Sequence, residues 1–235
     1  MARYSKEERI ERIITLLDHQ GAVSINDLVE YFSVSHMTIR RDIDMLQNKG
    51  WVKVVFGGQI IKNFIEKSPE YKDKASSNIE AKNKIAVEAY KLLLPNMRIF
   101  MDGGTTVKAL AYLIDMPLTA ITNDISTAYI LNENAQIKTI ICPGEISKES
   151  RTAYSTETLR FLADCYSDIA FIGADGFSDK YGVMTTTQAK ADCKWMAASR
   201  AEKSVLLVDG SKENVFCPYK IAEMEYFSDV LTENG

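Results

Sequence analysis

Residues 35–58 read SHMTIRRDIDMLQNKGWVKVVFGG, and they predict a helix followed by a small β-hairpin. The helix is indicated by a capping serine, three apolar positions at helical spacing and a terminating glycine: Ser35, Ile39, Ile43, Leu46 and Gly50. After it, two short apolar segments, 51–55 and 59–61, flank the turn Phe56-Gly57-Gly58.

Two further helices are predicted in front of this segment. The first ends at Gly21 and carries one apolar stripe, formed by Ile10, Ile13, Ile14 and Leu17. The second begins at Ser24, since Asp27 stands three residues later in the position of a capping box. Three short helices and a hairpin are typical of a winged helix-turn-helix domain, whose third helix enters the major groove of DNA.

The third helix carries side chains suited to DNA. Arg40 and Arg41 flank its buried stripe, which leaves both guanidinium groups available for phosphates or guanine edges. The candidate DNA-binding residues are Ser35, His36, Met37, Thr38, Arg40 and Arg41 in this helix, and Lys53 in the hairpin. In a second interpretation, Arg40 and Arg41 form surface ion pairs with Asp42 and Asp44 on an ordinary helical bundle. In a third, the domain is an adaptor for another protein, which the arginine pair disfavours.

These residues resemble the DNA-binding signature of the DeoR family of bacterial transcription regulators. The resemblance covers nearly all of residues 6–59 and rests on three motifs, namely Val34 to Ile43, Lys49-Gly50 and Phe56-Gly57-Gly58. The family typically has an arginine in the wing ahead of the Gly-Gly turn, where this chain has Val54 beside Lys53. The resemblance implies a DNA-binding transcriptional regulator, a repressor of carbohydrate metabolism genes, whose partner is operator DNA.

Composition and charge indicate a folded protein of two domains. The chain has 235 residues, of which 46% are hydrophobic and 26% charged, and this excludes a disordered chain. Residues 1–62 hold nine Lys and Arg against eight Asp and Glu, whereas residues 63–235 hold nineteen against twenty-four. The net charge of −4 therefore averages unlike parts and gives no argument against DNA binding. We expect a cytoplasmic protein without a membrane segment and, because its four cysteines form no CxxC pair, without a bound metal.

The polar segment 63–77 predicts a linker between a DNA-binding domain at 1–62 and a second domain at 78–235. In the second domain, six β-rich runs alternate with helical patterns, which predicts an α/β fold with a mainly parallel, Rossmann-like sheet. The six runs are 98–102, 118–122, 137–142, 168–172, 204–209 and 228–232.

Ligands of such sheets bind at the carboxyl ends of the strands, where this chain has polar loops. The first loop, Asp102-Gly103-Gly104-Thr105-Thr106, offers hydroxyls and a close backbone approach, and the helix after it offers N–H groups to an anion. Such a turn is also compatible with a plain strand–helix connection. Together with the later loops it predicts a pocket for a phosphorylated polyol, with the candidate residues Asp102, Gly103, Gly104, Thr105, Thr106, Asn123, Gly144, Asp175, Lys194 and Lys212.

This second region resembles the effector-sensing domain of the DeoR family from about Asn78 to Thr232. The motifs that carry the resemblance are residues 99–106, Thr122-Asn123, residues 171–176, Lys194 and residues 209–212. The family commonly has serine where Gly103 stands. That sensing domain is similar in fold to ribose 5-phosphate isomerase. The resemblance implies a phosphorylated sugar as effector and a homo-oligomer, either a dimer or a tetramer.

A sugar-phosphate isomerase is the main alternative to a regulator. Such isomerases look like Gly-Ala-Asp-Glu-x-Asp where this chain has Asp175 followed by Gly176 and Ser178, so the second acidic group for proton transfer is missing. Both histidines belong to the N-terminal domain. We therefore expect no enzyme, no catalytic residue and no cofactor. The groups left for residual catalysis are Glu145, Asp192 and Lys194.

Overall fold

The computed structural model describes residues 4–55, 57–63, 74 and 76–234. Its first unit contains three helices, α1 (Lys6–Gln20), α2 (Ile25–Phe32) and α3 (His36–Asn48). An antiparallel sheet of order β1-β3-β2 packs beside them, with the strands β1 (Ala22–Ser24), β2 (Val52–Val55) and β3 (Gln59–Lys62). This is the winged helix-turn-helix that the sequence predicts.

Local sequence determines where these helices begin and end. Ser24 and Asp27 form the expected capping box, and the Ser35 hydroxyl accepts the backbone N–H of Thr38 at 3.2 Å. Gly21 ends α1 with a φ of 75°, a conformation that favours glycine. The apolar stripes of the helices meet in one core, whose fully buried members include Ile13, Leu28, Ile39, Ile43, Leu46 and Ile60.

One strand of this unit was not predicted. β1 has three residues between the end of α1 and the cap of α2, which is too short to show an alternating pattern. It pairs with β3, with Val23 opposite Ile60, and adds a third strand to the hairpin. The first residue of the predicted turn, Phe56, lies outside the described residues, whereas Gly57 and Gly58 have φ of 84° and 74°.

The second unit is built on a sheet of six strands that are all parallel to their neighbours. In sheet order the strands are β12 (Asp229–Leu231), β10 (Ala201–Leu207), β7 (Ser167–Gly173), β4 (Arg98–Met101), β5 (Leu118–Thr122) and β6 (Ile137–Ile141). The six predicted β-rich runs coincide with these strands to within a few residues at their ends. The α/β fold with a mainly parallel sheet is therefore confirmed.

Helices cover both faces of this sheet. They are α4 (Ile79–Tyr90), α5 (Thr105–Ala111), α6 (Ile125–Asn132), α7 (Thr156–Ala163) and α8 (Gln188–Ser199). One core packs α4, α5 and α6 against the sheet and includes Ile85, Leu110 and Phe171. A second core lies on the opposite face under α7 and α8 and includes Leu162, Ala197 and Leu206. Two buried faces explain why the strands read as continuous apolar runs.

A small antiparallel sheet of order β11-β9-β8 was not predicted. Its strands are β8 (Gly176–Ser178), β9 (Gly182–Thr185) and β11 (Tyr219–Ala222). Each has three or four residues, and two of them begin or end at glycine, so the sequence resembles loop more than strand. Single-turn 3-10 helices at Gly210–Lys212 and Met224–Tyr226 complete the unit.

The predicted linker, 63–77, falls mostly outside the described residues, which include only Asn63, Lys74, Ser76 and Ser77 of it. Across the described ranges, no helix is both long and apolar enough to cross a membrane. In the same ranges, no group of three His, Cys, Asp or Glu side chains is placed to hold a metal ion.

Candidate functional site

The N-terminal half of α3 presents polar and cationic side chains to solvent. Ser35 caps the helix, and the next two side chains, His36 and Met37, are exposed, with Met37 exposed to 61%. Arg40 and Arg41 follow on the same exposed surface because Ile39 and Ile43 take the buried positions on either side of them. This arrangement leaves the first two turns of α3 accessible to a DNA groove.

Asp42 is not a partner of the exposed arginines. It is buried and receives two hydrogen bonds from the guanidinium of Arg9, with Nε to Oδ2 at 2.8 Å and Nη2 to Oδ1 at 3.3 Å. Within the described part of the chain, neither Arg40 nor Arg41 forms an ion pair. The interpretation in which Asp42 neutralises these arginines is therefore wrong, because the carboxylate serves to fix α1 to α3.

The hairpin extends this cationic surface. Lys53 is exposed on β2, and the Lys49 ammonium lies 4.5 Å from the centre of the Trp51 ring. Val54 and Val55 are also exposed, so the wing presents apolar as well as cationic groups. The DNA contacts of Ser35, His36, Met37, Thr38, Arg40, Arg41 and Lys53 remain a prediction.

A cavity of about 290 Å³ opens at the carboxyl ends of the parallel strands, where ligands of such sheets bind. It brings together seven of the ten residues that the sequence predicts for the effector: Gly103, Gly104, Thr105, Thr106, Asp175, Lys194 and Lys212. They come from the segments after β4, β7 and β10, from the first turn of α5 and from helix α8.

The other three predicted residues do not line the cavity. Asp102 lies beneath it, fully buried, and accepts hydrogen bonds from the Lys194 ammonium and from the backbone N–H of Gly173 at 3.1 Å. Asn123 is also buried, and its Oδ1 accepts the N–H of Gly103 at 2.9 Å, which fixes the glycine loop. Gly144 has a φ of 124° and packs against Ser155 and Thr158 at the start of α7.

The sequence patterns do not identify several other cavity residues. They are Lys74, Ser77, Lys82, Ser147, Glu149, Ser150, Thr152, Tyr154, Thr186, Thr187 and Lys190. For two of these lysines, the position in the sequence indicates a role. Lys82 occupies a position in the apolar stripe of α4, and Lys190 stands four residues before Lys194, which places both on one face of α8. The loop containing Ser147 to Tyr154 has no such pattern.

Among the described residues, five lysines line this cavity and determine its electrostatics: Lys74, Lys82, Lys190, Lys194 and Lys212. Burial raises the pKa of Asp175, but the nearby ammonium groups of Lys74 and Lys190 outweigh burial and hold that pKa far below its usual range. Burial lowers the pKa of Lys82 and of Lys190; Asp209 raises the first pKa and Asp175 the second, but burial and the neighbouring lysines outweigh these carboxylates. The lysines therefore make the cavity suited to an anion. The helix after the glycine loop, α5, has only seven residues, so the positive charge comes from the lysines and not from its N-terminus.

Two glycines of the site are required by close approach. A Cβ at Gly103 would lie 1.9 Å from Cγ2 of Thr152, so this chain has no room for the serine that the family commonly has there. A Cβ at Gly176 would lie 2.0 Å from the carbonyl oxygen of Val215, which is backbone. The position where an isomerase has its glutamate therefore accepts no side chain in this fold.

Both units match known domains. Residues 9–63 match the DeoR-like helix-turn-helix domain, and residues 77–234 match the DeoR C terminal sensor domain. The chain belongs to the DeoR family. This DeoR-family protein is a DNA-binding transcriptional regulator, as its sequence predicts.

Curated relatives of this DeoR-family chain are named transcriptional regulators. The HTH-type transcriptional regulator GolR of Listeria innocua is 31% identical, with 97% of this chain and 90% of that protein covered. The lactose phosphotransferase system repressor of Streptococcus mutans is 31% identical, with 88% and 84% covered. The HTH-type transcriptional repressor GlcR of Bacillus subtilis is 28% identical, with 97% and 88% covered.

Among solved structures, ribose 5-phosphate isomerase A of Methanocaldococcus jannaschii is similar to part of this DeoR-family chain. It shares 20% identity and covers 58% of this chain and 55% of its own, with a TM-score of 0.43. A likeness this distant supports no statement about activity.

Proposed function

We propose that this DeoR-family regulator represses genes of carbohydrate metabolism and that a phosphorylated sugar or polyol in the sensor cavity controls its binding to operator DNA. Three of its curated relatives are named repressors, including a putative repressor of the aga operon, and one is named an L-fucose operon activator. The observation that carries the effector proposal is the set of five described lysines that line the cavity.

The side chains that line the cavity fit a phosphate attached to a polyol. Lysine ammonium groups bind phosphate oxygens, and hydroxyls of the ligand find acceptors in Asp175, Asp209 and Glu149. Thr105 and Thr106 add hydroxyls at the glycine loop. A volume of about 290 Å³ is small for a ligand pocket, which favours a compact ligand over a nucleotide or a lipid.

We infer that the cavity binds without catalysis. A proton-transfer enzyme needs a base whose pKa permits proton uptake near neutral pH. Asp175 is instead held ionised by Lys74 and Lys190, and its second carboxylate oxygen accepts the hydroxyl of Thr185 at 2.8 Å. Gly176 leaves no space for the second acidic group. These features support a sensor rather than an isomerase.

We propose that the regulator acts in the bacterial cytoplasm as a homo-oligomer. A winged helix-turn-helix of about 50 residues has a small DNA footprint, so specific binding requires paired half-sites read by at least two copies. Its operation in the cytoplasm follows from the operator DNA that regulators of this family bind.

A thermal-shift screen of phosphorylated sugars and polyols against the full chain tests the effector proposal. We expect at least one compound to raise the melting temperature, since a ligand that binds only the folded state stabilises it by mass action. Lys212→Met should remove most of this increase, whereas Lys84→Met, an exposed lysine of α4 outside the cavity, should retain it. If no compound shifts the wild type, or if both variants respond as the wild type does, the cavity is not the effector site.

The affinity for a phosphorylated ligand should fall as pH rises. Lys82 and Lys190 have pKa values below 10.5, so they begin to lose protons at lower pH than exposed lysines. A bound anion favours their charged forms and raises those pKa values, so the complex takes up protons that the free protein has lost. Calorimetry at pH 7.5, 8.5 and 9.5, where a phosphomonoester stays dianionic, should show a rising Kd.

The same titration in a lysine variant identifies the groups responsible. Lys190→Met should weaken binding at pH 7.5 and flatten the rise in Kd, because one titrating group is absent. Lys84→Met should reproduce the wild-type profile. A Kd that is constant from pH 7.5 to 9.5 in the wild type would show that Lys82 and Lys190 do not contact the anion.

A further inference from the structure

Lys74, which lies between the two units in the sequence, reaches into the sensor cavity. The ammonium of Lys74 lies 2.5 Å from Oδ1 of Asp175, a residue at the end of β7. Lys82 of α4 donates to the carbonyl of Ser77 at 2.6 Å and to the carbonyl of Lys74. One side of the cavity is therefore lined by Lys74 and Ser77, which lie between the two units in the sequence.

The chain segments that follow Asp175 and Lys212 both contact the DNA-binding unit. Six residues after Asp175, the hydroxyl of Tyr181 donates to Oδ1 of Asp18 on α1 at 3.2 Å. Four residues after Lys212, the N–H of Phe216 donates to the carbonyl of Asn63 at 3.3 Å. The rings of Tyr181 and Phe216 pack edge to face with centroids 4.8 Å apart. A change at Asp175 or Lys212 thus has a short path to the neighbouring unit.

Lys74 and Asp175 each carry the chemistry that the ligand itself requires. A phosphate group binds ammonium groups such as that of Lys74, and a polyol hydroxyl donates to a carboxylate such as Asp175. A phosphorylated polyol in the cavity would therefore compete for both partners of this ion pair. Its phosphate would compete for Lys74 and its hydroxyls for Asp175. Since Lys74 belongs to the joining segment, a change in this pair changes how that segment is attached to the sensor.

We propose that the Lys74–Asp175 ion pair couples the two units and that an effector alters operator affinity by replacing this pair with its own phosphate and hydroxyl contacts. The inference rests on the proposed effector function, because it assigns the coupling to the same cavity. It predicts that breaking the pair by substitution changes operator affinity in the direction in which the effector changes it.

A double-mutant cycle without any effector tests the coupling directly. The full-length variants Lys74→Met, Asp175→Asn and the double variant are compared for affinity to an operator fragment that the wild type selects from random-sequence DNA. We expect both single variants to change the Kd in the same direction, by about fivefold or more, and the double variant to add little to either. A long-range charge effect predicts opposite directions instead, since one variant removes a cation and the other an anion.

Two controls separate coupling from misfolding and from charge. Lys74→Arg retains a cation for Asp175 and should bind the operator like the wild type, and Lys84→Met loses one exposed lysine and should do the same. Thermal unfolding establishes that each variant is folded. If Asp175→Asn does not fold, the comparison of Lys74→Met with Lys74→Arg alone decides, and equal operator affinities for these two would overturn the proposal.

A second arm adds inorganic phosphate and the compounds that shift the melting temperature of the wild type. A compound that changes wild-type operator affinity should have no further effect on Lys74→Met. If Lys74→Met responds as the wild type does, the coupling runs elsewhere and the proposal is wrong, while the effector function stands. If no compound binds, the effector function fails, and the effector-free cycle still decides whether the ion pair couples the units.

Discussion

Replacing Arg40 by alanine is expected to weaken operator binding about 5- to 150-fold, the cost of about 1–3 kcal/mol that follows the loss of a good arginine–base contact. Arg40 is exposed on the second turn of α3 and has no ion-pair partner among the described residues. No ion pair with a described residue therefore competes with DNA for its guanidinium. Fluorescence anisotropy with a labelled operator, repeated at several salt concentrations, measures the loss.

The matched control for this prediction is Arg160→Ala. Arg160 is exposed on α7 of the sensor, so this substitution removes the same charge and side chain from the other unit. We expect its operator affinity to stay within about twofold of the wild type. If Arg40→Ala and Arg160→Ala weaken binding equally, general electrostatic attraction rather than a contact of α3 determines the affinity.

Replacing Lys194 by methionine is expected to lower stability by about 3–5 kcal/mol, because it leaves a buried carboxylate without its cation. The side chains of Lys194 and Asp102 are exposed to only 5% and 1%, and their ion pair lies beneath the sensor cavity. The Lys194 ammonium also donates to the carbonyl of Gly173 at 3.0 Å, so the variant loses a contact between α8 and β7. Thermal and chemical denaturation of the full chain measure the change.

A second substitution identifies the cause of this loss. Asp102→Asn in the Lys194→Met background removes the unpaired charge and should recover part of the stability. Lys91→Met breaks an ion pair with Glu88 that is largely exposed, and it should leave the unfolding curve unchanged. A Lys194→Met protein as stable as Lys91→Met would show that Asp102 does not depend on this lysine.

Much of the fold could be predicted because the sequence patterns at helix ends and in strands match how these elements pack. Ser24, Ser35 and Gly21 mark helix ends in the sequence and cap the same helices in the structure. The six parallel strands were predicted because burial on both faces makes them continuously apolar. β1 and the strands of the small antiparallel sheet were missed, since elements of three or four residues carry too little periodicity.

The candidate site was predicted only in part, and the reason is geometric. Residues directly after a parallel strand, such as Gly103 and Asp175, share the same sheet edge in any such fold. Lys74 reaches Asp175 across about one hundred positions of sequence, which no local pattern encodes. Asp102 and Asn123 follow strands as expected, but burial directs them to Lys194 and to the backbone of Gly103 instead of the cavity.

The main proposal for this protein is that the sensor cavity controls operator binding by α3. Its most direct test is the operator Kd of the wild type and of Lys212→Met, each with and without a compound that stabilises the wild type in the thermal-shift screen. We expect equal affinities for the two proteins without the compound, and a compound-dependent loss of affinity in the wild type alone. If a compound stabilises the wild type and leaves its operator Kd unchanged, the cavity does not control operator binding.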